Sequence, residues 1–163
     1  MVSKLIGVGS YVPEHRLTNA ALEQLVDTND EWIVQRTGIH ERRIAAGKAT
    51  WEIALAAAKA ALADAGVSAE ELDLIIVTTV TPDTFTPTVS CRLQAELGAK
   101  NASALDFNAA CSGFVYAVEM ADGYIRTGKK KTVLIVSAER LHSVIDYTDR
   151  ATCVLFGDGA GAA

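Results

Sequence analysis

The sequence has 163 residues, of which 50% are hydrophobic and 21% charged, with a formal net charge of −5. This length is enough for one domain with a hydrophobic core, and the composition is that of a folded globular protein. The acidic balance argues against a nucleic-acid-binding protein, and no apolar run approaches the roughly 18 residues that a membrane span needs.

Helix-capping residues and helical periodicity predict five helices in chain order. Their expected ranges are 19–26, 31–36, 51–65, 89–97 and 111–126. Glycines that follow these segments, such as Gly66 and Gly98, are typical helix ends. Residues 38–50 are polar and mixed, so we expect a loop there.

Apolar, β-branched runs predict five strands, over residues 1–9, 72–80, 103–108, 132–137 and 152–156. The first is too short and too soon interrupted to be a signal peptide. Several of the strands lack polar alternation, which is typical of parallel strands covered on both faces. Strands that alternate with helices predict an α/β fold, layered α-β-α around a mostly parallel, mixed sheet.

The glycine-rich run at 157–161 only weakly resembles a phosphate-binding loop. It lacks the Gly-Lys-Ser/Thr of a P-loop and the glycine spacing of a dinucleotide fingerprint. We therefore expect it to be a strand that packs closely against its neighbours. A chain that stops at such a segment suggests that the natural protein continues.

The three cysteines, Cys91, Cys111 and Cys153, show no metal-binding spacing and their odd number gives no disulfide framework. This usage favours a reducing, cytoplasmic location, and we expect no metal site.

Cys111 follows a predicted strand and a tight turn and opens a helix that is apolar nearly all round, with Glu119 as the exception. Such a helix is expected to be buried. The unpaired N–H groups and positive dipole end of its first turn favour a thiolate. Small residues at 109, 110 and 113 would admit a substrate. The residues alone leave two hypotheses equally open, a nucleophile and a buried core cysteine.

A nucleophilic cysteine needs a base and an oxyanion hole. Of the three histidines, only His142, just after a buried strand, is a candidate partner. Exchange of a thiol with a thioester needs less assistance from a base than peptide hydrolysis does. The groups near the start of the helix could therefore suffice for it.

Trp32 and Arg36 lie one helical turn apart on the same face. An indole beside a guanidinium could bind a purine by stacking and cation–π contact. The alternative is that Trp32 belongs to the core, although its polar neighbours argue against full burial.

Together these segments resemble β-ketoacyl-acyl-carrier-protein synthase III, a thiolase-fold family, over its N-terminal half. The motifs that carry the resemblance are residues 7–13 (Gly-Val-Gly-Ser-Tyr-Val-Pro), 28–33 with 36–39, 109–114 (Ala-Ala-Cys-Ser-Gly-Phe), and 149–150 with 156–162. The resemblance covers the whole chain, residues 1–163, as one thiolase-like half.

The resemblance implies roles for individual residues. Cys111 is the acylated nucleophile. Trp32 stacks on the adenine of coenzyme A with Arg150 on the other face, and Thr28 and Arg36 bind the nucleotide end. The residues implied for the acyl pocket are Leu141, Phe156 and Thr86, the last reaching into the neighbouring subunit of a homodimer.

The resemblance also implies an initiating condensing enzyme of type II fatty acid synthesis in the cytoplasm. Its substrates would be acyl-coenzyme A and malonyl-acyl carrier protein, with no cofactor. The family's Cys-His-Asn set takes its His and Asn from the C-terminal half, which this sequence lacks. We therefore expect the isolated chain to lack full activity and to expose an apolar sheet and helix face.

Two alternatives remain open. The chain could be a non-catalytic half that dimerises or binds coenzyme A, or a related thiolase-fold acyltransferase of secondary metabolism. Trp32 and Arg36 together favour the fatty-acid enzyme.

Overall fold

The computed structural model describes residues 2–163. The helices are α1 Asn19–Leu22, α2 Asp30–Thr37, α3 Thr50–Ala65, α4 Val89–Leu97 and α5 Gly113–Arg126. The strands are β1 Gly9–Tyr11, β2 His15–Thr18, β3 Glu41–Ile44, β4 Leu74–Thr78, β5 Ser103–Phe107, β6 Val133–Arg140 and β7 Asp158–Ala162.

The predicted helices are all present, and their ends are set by local capping. The Asn29 side chain accepts a hydrogen bond from the Trp32 N–H at the start of α2, and Gly66 ends α3 in the left-handed conformation. Helix α1 is shorter than predicted and ends at Leu22. The chain then turns back toward α2, whose Asp30 N–H donates to the Glu23 carboxylate.

Five strands form one mixed sheet in the order β1-β7-β6-β4-β5. Strands β6, β4 and β5 are parallel, whereas β7 runs antiparallel to both β6 and β1. The separate pair β2 and β3 is antiparallel. Helices cover both faces, so the α-β-α layering with a mixed sheet is confirmed.

Strand β4 lies at the centre of the molecule and is buried along its whole length. Ile75 and Val77 pack with α3 and α4 on one face, while Leu74 and Ile76 pack with α5 on the other. This two-sided burial explains the continuous apolar run, as the sequence predicted. Within the described residues, no helix has the length and apolar character that crossing a bilayer requires.

The predicted first strand is wrong in its extent. It begins at Gly9, which pairs with Ala162 of β7. Residues 2–8 are not in a strand, and Val2, Leu5 and Val8 are exposed. Met1 lies outside the described residues.

The loop predicted over residues 38–50 is also wrong, because β3 lies within it and pairs with β2. The polar composition of this segment gave no sign that one of its residues, Arg42, is buried. Arg42 is only 3% exposed, and its guanidinium donates to the Val154 carbonyl and to the Asn19 side chain. Partners distant in sequence thus make a polar strand stable.

The strand predicted over residues 152–156 is a series of turns instead. Cys153 and Val154 are buried with Leu22 and Ile33 in a separate small core. This burial, rather than pairing in a sheet, accounts for the apolar residues of the segment. Cys153 therefore does not lie in a strand, contrary to expectation. The glycine-rich run that follows forms β7, as predicted.

Helix α5 is not buried all round as expected. Ala117 and Ala121 face the sheet, while Val115 and Tyr116 are 65% and 51% exposed. The helix also starts later, at Gly113, and Cys111 lies in the 3-10 turn of residues 110–112 just before it. An apolar helix face is thus open on this chain.

Candidate active site

Cys111 lies at a sharp elbow between β5 and α5. The preceding residue, Ala110, has a φ of +46°, a left-handed conformation that is unfavourable for residues other than glycine. The Asn108 side chain supports this turn by accepting the Ala110 N–H at 3.2 Å. The elbow leaves Cys111 exposed at the positive end of α5.

Gly113 lets α5 approach β4 at this elbow. A Cβ on residue 113 would lie 2.9 Å from Thr78 Cβ and closer still to Thr78 Oγ1. Any side chain there would push the helix start, and Cys111 with it, away from the carboxyl end of β4.

Cys111 opens into a cavity of about 330 Å³. The structure brings Leu141 and Phe156 to the walls of this cavity, beside the cysteine. Their role toward an acyl chain remains a prediction. Ala110, one of the small residues expected to admit a substrate, also lines it, and the walls that the sequence did not indicate are Thr78, Val80, Phe114, Ser137 and Glu139.

The missed wall residues other than Phe114, which lies on α5, share one signal. Val80 follows β4 and Glu139 is near the carboxyl end of β6, and ligands of open α/β sheets bind at the carboxyl ends of parallel strands. Which of these side chains face the cavity depends on the sheet order, which the sequence did not determine.

A second cluster surrounds Trp32. The Arg36 and Arg150 guanidinium carbons lie 4.5 and 5.0 Å from the Trp32 ring centroid. Arg150 Nη1 also donates to the Asp27 carbonyl at 2.8 Å. Trp32 is half-buried against the small core around Ile33, so it has both a packing contact and a face toward the arginines.

Thr28 lies in the loop just before this cluster. Its hydroxyl oxygen is buried and has no hydrogen-bond partner among the described residues. Buried polar groups are normally hydrogen-bonded, so this hydroxyl is an exception in the loop next to the arginines.

The segment 141–157 links the cavity to the arginine cluster. Leu141 and Phe156, near the two ends of the segment, line the cavity. Arg150, near the middle of the segment, contacts Trp32. Within the segment, the Asp149 carboxylate accepts hydrogen bonds from the Thr152 hydroxyl and the Ala151 N–H, which lower its pKa. One continuous segment thus contributes residues to both places.

His142 does not line the Cys111 cavity. Its ring Nδ1 pairs with the Asp158 carboxylate, and its backbone N–H donates to Asp158 Oδ1 at 3.0 Å. The buried Asp158 also accepts the Ala45 N–H at 2.7 Å. These contacts tie β7 to β3 and give His142 a structural partner.

The remaining candidates lie apart from the cavity. Thr86 is in the exposed loop of residues 82–87, and Cys91 is exposed on α4. Cys153 is buried, and burial raises the pKa of its thiol. Among residues 2–163, no group of three or more His, Cys, Asp or Glu side chains is arranged to hold a metal ion.

Sequence comparison places this geometry among known proteins. The chain is 54% identical over 162 residues to β-ketoacyl-[acyl-carrier-protein] synthase III of Aquifex aeolicus, covering 99% of this chain and 52% of that protein. It is 56% identical over 163 residues to the Geobacillus kaustophilus protein of the same name, covering 99% and 53%. The family described as 3-oxoacyl-[acyl-carrier-protein (ACP)] synthase III matches residues 105–163.

The chain belongs to the β-ketoacyl-[acyl-carrier-protein] synthase III family. It spans about half the length of the curated synthase III relatives that it matches.

Solved structures agree with the synthase III assignment. The crystal structure of the Aquifex aeolicus VF5 synthase superposes with a TM-score of 0.96 at 55% identity, covering 98% of this chain and 52% of that one. The priming β-ketosynthase from the R1128 polyketide biosynthetic pathway gives 0.95 at 43% identity, covering 98% and 48%. The predicted thiolase-like fold is thereby confirmed.

Proposed function

We propose that this chain supplies the acyl-accepting half of an initiating condensing enzyme of type II fatty acid synthesis. The observation that carries the proposal is Cys111 at its strained elbow, opening into a cavity whose other walls include Leu141 and Phe156. The substrate of the first step is acyl-coenzyme A, and no cofactor takes part.

In the first step, Cys111 Sγ, as the thiolate, attacks the thioester carbonyl carbon. A new carbon–sulfur bond forms, the coenzyme A thiolate leaves, and that thiolate takes up the proton released by Cys111. One thioester replaces another, so the step is close to isoenergetic. The N–H groups at the start of α5 favour the negative charge that develops next to them.

Coenzyme A itself is expected at the Trp32 cluster. Trp32 and Arg150 would hold the adenine between them, and Arg36 and the unpartnered Thr28 hydroxyl would bind the nucleotide's phosphates. Because Arg150 now lies on Trp32, adenine binding requires that it swing outward.

The second step is decarboxylative condensation with malonyl-acyl carrier protein. Loss of carbon dioxide leaves a carbanion that attacks the acyl carbonyl, and the Cys111 thiolate is released. The family resemblance assigns the His and Asn for this step to a C-terminal half beyond these 163 residues. We therefore propose that these residues alone support acylation at most, in a homodimeric, cytoplasmic enzyme.

Acyl mapping tests the proposal. The purified protein is incubated with acetyl-coenzyme A, and the thioester adduct is located by peptide mass spectrometry, with Cys111→Ala as the control. We expect the adduct on Cys111 and none on the exposed Cys91 or the buried Cys153. An adduct chiefly on Cys91 would contradict the assignment. Coenzyme A binding without any adduct would favour a non-catalytic binding module.

A second candidate is starter-unit loading in polyketide synthesis, favoured by the 43% identity to the R1128 priming β-ketosynthase. The two candidates share the acylation step and differ in the carrier protein that accepts the acyl group. Turnover of the enzyme that also contains the C-terminal half, measured with fatty-acid and polyketide carrier proteins each charged with malonyl, separates them.

A further inference from the structure

The carboxylate of Glu139 holds the beginning of the loop that follows β4. The Val80 N–H donates to its two oxygens at 3.0 and 3.1 Å. The Thr81 hydroxyl donates at 2.9 Å and the Thr79 hydroxyl at 3.3 Å. Three consecutive residues of the loop are therefore bound to one side chain of β6.

The next residue of β6 strengthens this attachment. The Arg140 N–H donates to Thr81 Oγ1 at 2.8 Å, and its guanidinium contacts Asp83 at 3.3 Å. Asp83 in turn accepts the N–H groups of Thr50 and Trp51 at the start of α3. The loop is thus joined both to the sheet and to the helix layer.

The attachment bears directly on the Cys111 cavity, because Val80 and Glu139 both line it. Val80 is an apolar wall whose position depends on where its backbone N–H is held. We propose that Glu139 is a positioning residue that fixes the Val80 wall relative to Cys111, and so limits the size of the acyl group that the cavity accepts. That the bound group is an acyl group rests on the function proposed above. The position of the Val80 wall does not depend on that function.

The chemistry of the contact explains why a carboxylate is needed. An ionised carboxylate only accepts hydrogen bonds and offers about four lone-pair positions, which suits a site with three donors. In Glu139→Gln the amide nitrogen would face one of these donors, and the charge that strengthens the bonds is lost. The loop start must then shift or give up a contact.

Alkylation of Cys111 with two reagents of different length tests the proposal without acyl-coenzyme A. Iodoacetamide is the short probe and N-hexyl iodoacetamide the long one, and the adduct at Cys111 is quantified by peptide mapping. We expect Glu139→Gln to raise the long-to-short rate ratio by about fourfold, the worth of one additional buried methylene. Val80→Ala should raise it similarly, and the double variant no further than either one.

Asp73→Asn is the matched control. Asp73 likewise accepts N–H groups, from Lys131 and Thr132, but at the amino end of β4, about 16 Å from its carboxyl end. We expect it to lower stability and leave the ratio unchanged. If Glu139→Gln does not fold, Thr81→Val removes one donor from the opposite side of the same contact and should raise the ratio.

An unchanged ratio in Glu139→Gln, or in Thr81→Val if the former does not fold, overturns the proposal, and so does an unchanged ratio in Val80→Ala. A shift equal to that of Asp73→Asn also overturns it, because the effect would then be a general loss of stability. Failure of the wild type to accept an acetyl group from acetyl-coenzyme A would instead defeat the proposed function and leave this test standing.

Discussion

Gly113 and Thr78 meet at the point where α5 crosses the carboxyl end of β4. The Thr78 side chain occupies the space into which a Cβ on residue 113 would project. The position of Cys111, two residues earlier, therefore depends on a glycine that tolerates this contact.

Gly113→Ala is expected to destabilise the fold and displace the elbow. Overpacking of this kind costs about 1–3 kcal/mol of unfolding free energy. Gly123→Ala is the control, because Gly123 lies in the same helix and a Cβ there would meet nothing within 4 Å. That change should be neutral or stabilise the helix by about 0.5–1 kcal/mol. Urea titrations measure both, and equal effects would contradict the argument.

Part of the stability lost as the pH falls below about 4 should come from Asp73. Hydrogen bonds from the Lys131 and Thr132 N–H groups hold the pKa of its carboxyl below the usual value. A carboxyl with a lowered folded pKa stabilises the fold above its unfolded pKa of about 3.9, and the contribution is lost as the pH falls through the folded pKa.

Asp73→Asn should therefore be less stable than the wild type at pH 7, by about 1 kcal/mol for the weakened hydrogen bonds. The gap should shrink as the pH is lowered below about 4. Urea midpoints at pH 7, 5 and 3.5 test this, with the exposed Glu119→Gln as a control for general charge effects. A gap that is constant across the three pH values would count against the assignment.

Trp32→Ala is expected to weaken coenzyme A binding more than it weakens folding. Stacking of a base on an aromatic ring is worth about 1–3 kcal/mol. Trp51→Ala is the matched control, since Trp51 also lies near an arginine, with Arg92 at 5.2 Å from its ring centroid, but on α3. Calorimetry and melting curves separate the two quantities. Unchanged affinity in the folded Trp32→Ala protein would make Trp32 a core residue only.

The loop residue Thr86 is expected to influence the choice of acyl chain. The family resemblance puts this position at the end of the neighbouring subunit's acyl pocket, and threonine leaves room that a bulky aromatic would fill. Each additional buried methylene is worth about 0.8 kcal/mol. We expect the full-length wild-type enzyme to be acylated by octanoyl- and isobutyryl-coenzyme A, and the Thr86→Phe variant of that enzyme to prefer acetyl-coenzyme A.

Acylation rates with the three thioesters measure this preference. Thr84→Phe, in the same exposed loop, controls for the effect of adding any aromatic ring. Exclusive use of acetyl-coenzyme A by the wild type, or an unchanged preference in Thr86→Phe, would refute the prediction.

Local features were predictable because they depend on residues close in the chain. The glycines that end α3 and α4 and the doubly buried β4 all agree with the sequence, whereas the Asn29 cap of α2 was not predicted. The turn before α5 was located as well, since the small residues around Cys111 mark a close approach. The left-handed Ala110 within it was not foreseen.

Features that depend on distant partners were not predictable. Residues 41–44 were predicted to be a loop because the charged Arg42 suggests exposure. Its partners Asn19 and Val154, which allow it to be buried in a strand, lie far away in sequence. Residues 152–156 were predicted to be a strand because Cys153 and Val154 are apolar. These residues are instead buried against α1 and α2 within a series of turns.

The sequence by itself thus determined the α/β class, most element boundaries and the cysteine at the elbow. Only the tertiary structure decided which side chains surround that cysteine. Val80, Glu139 and Phe156 come from separate segments and meet because β4 and β6 are neighbours in the sheet and segment 141–157 returns to it. Strand order follows from the packing of whole layers, and no local pattern encodes it.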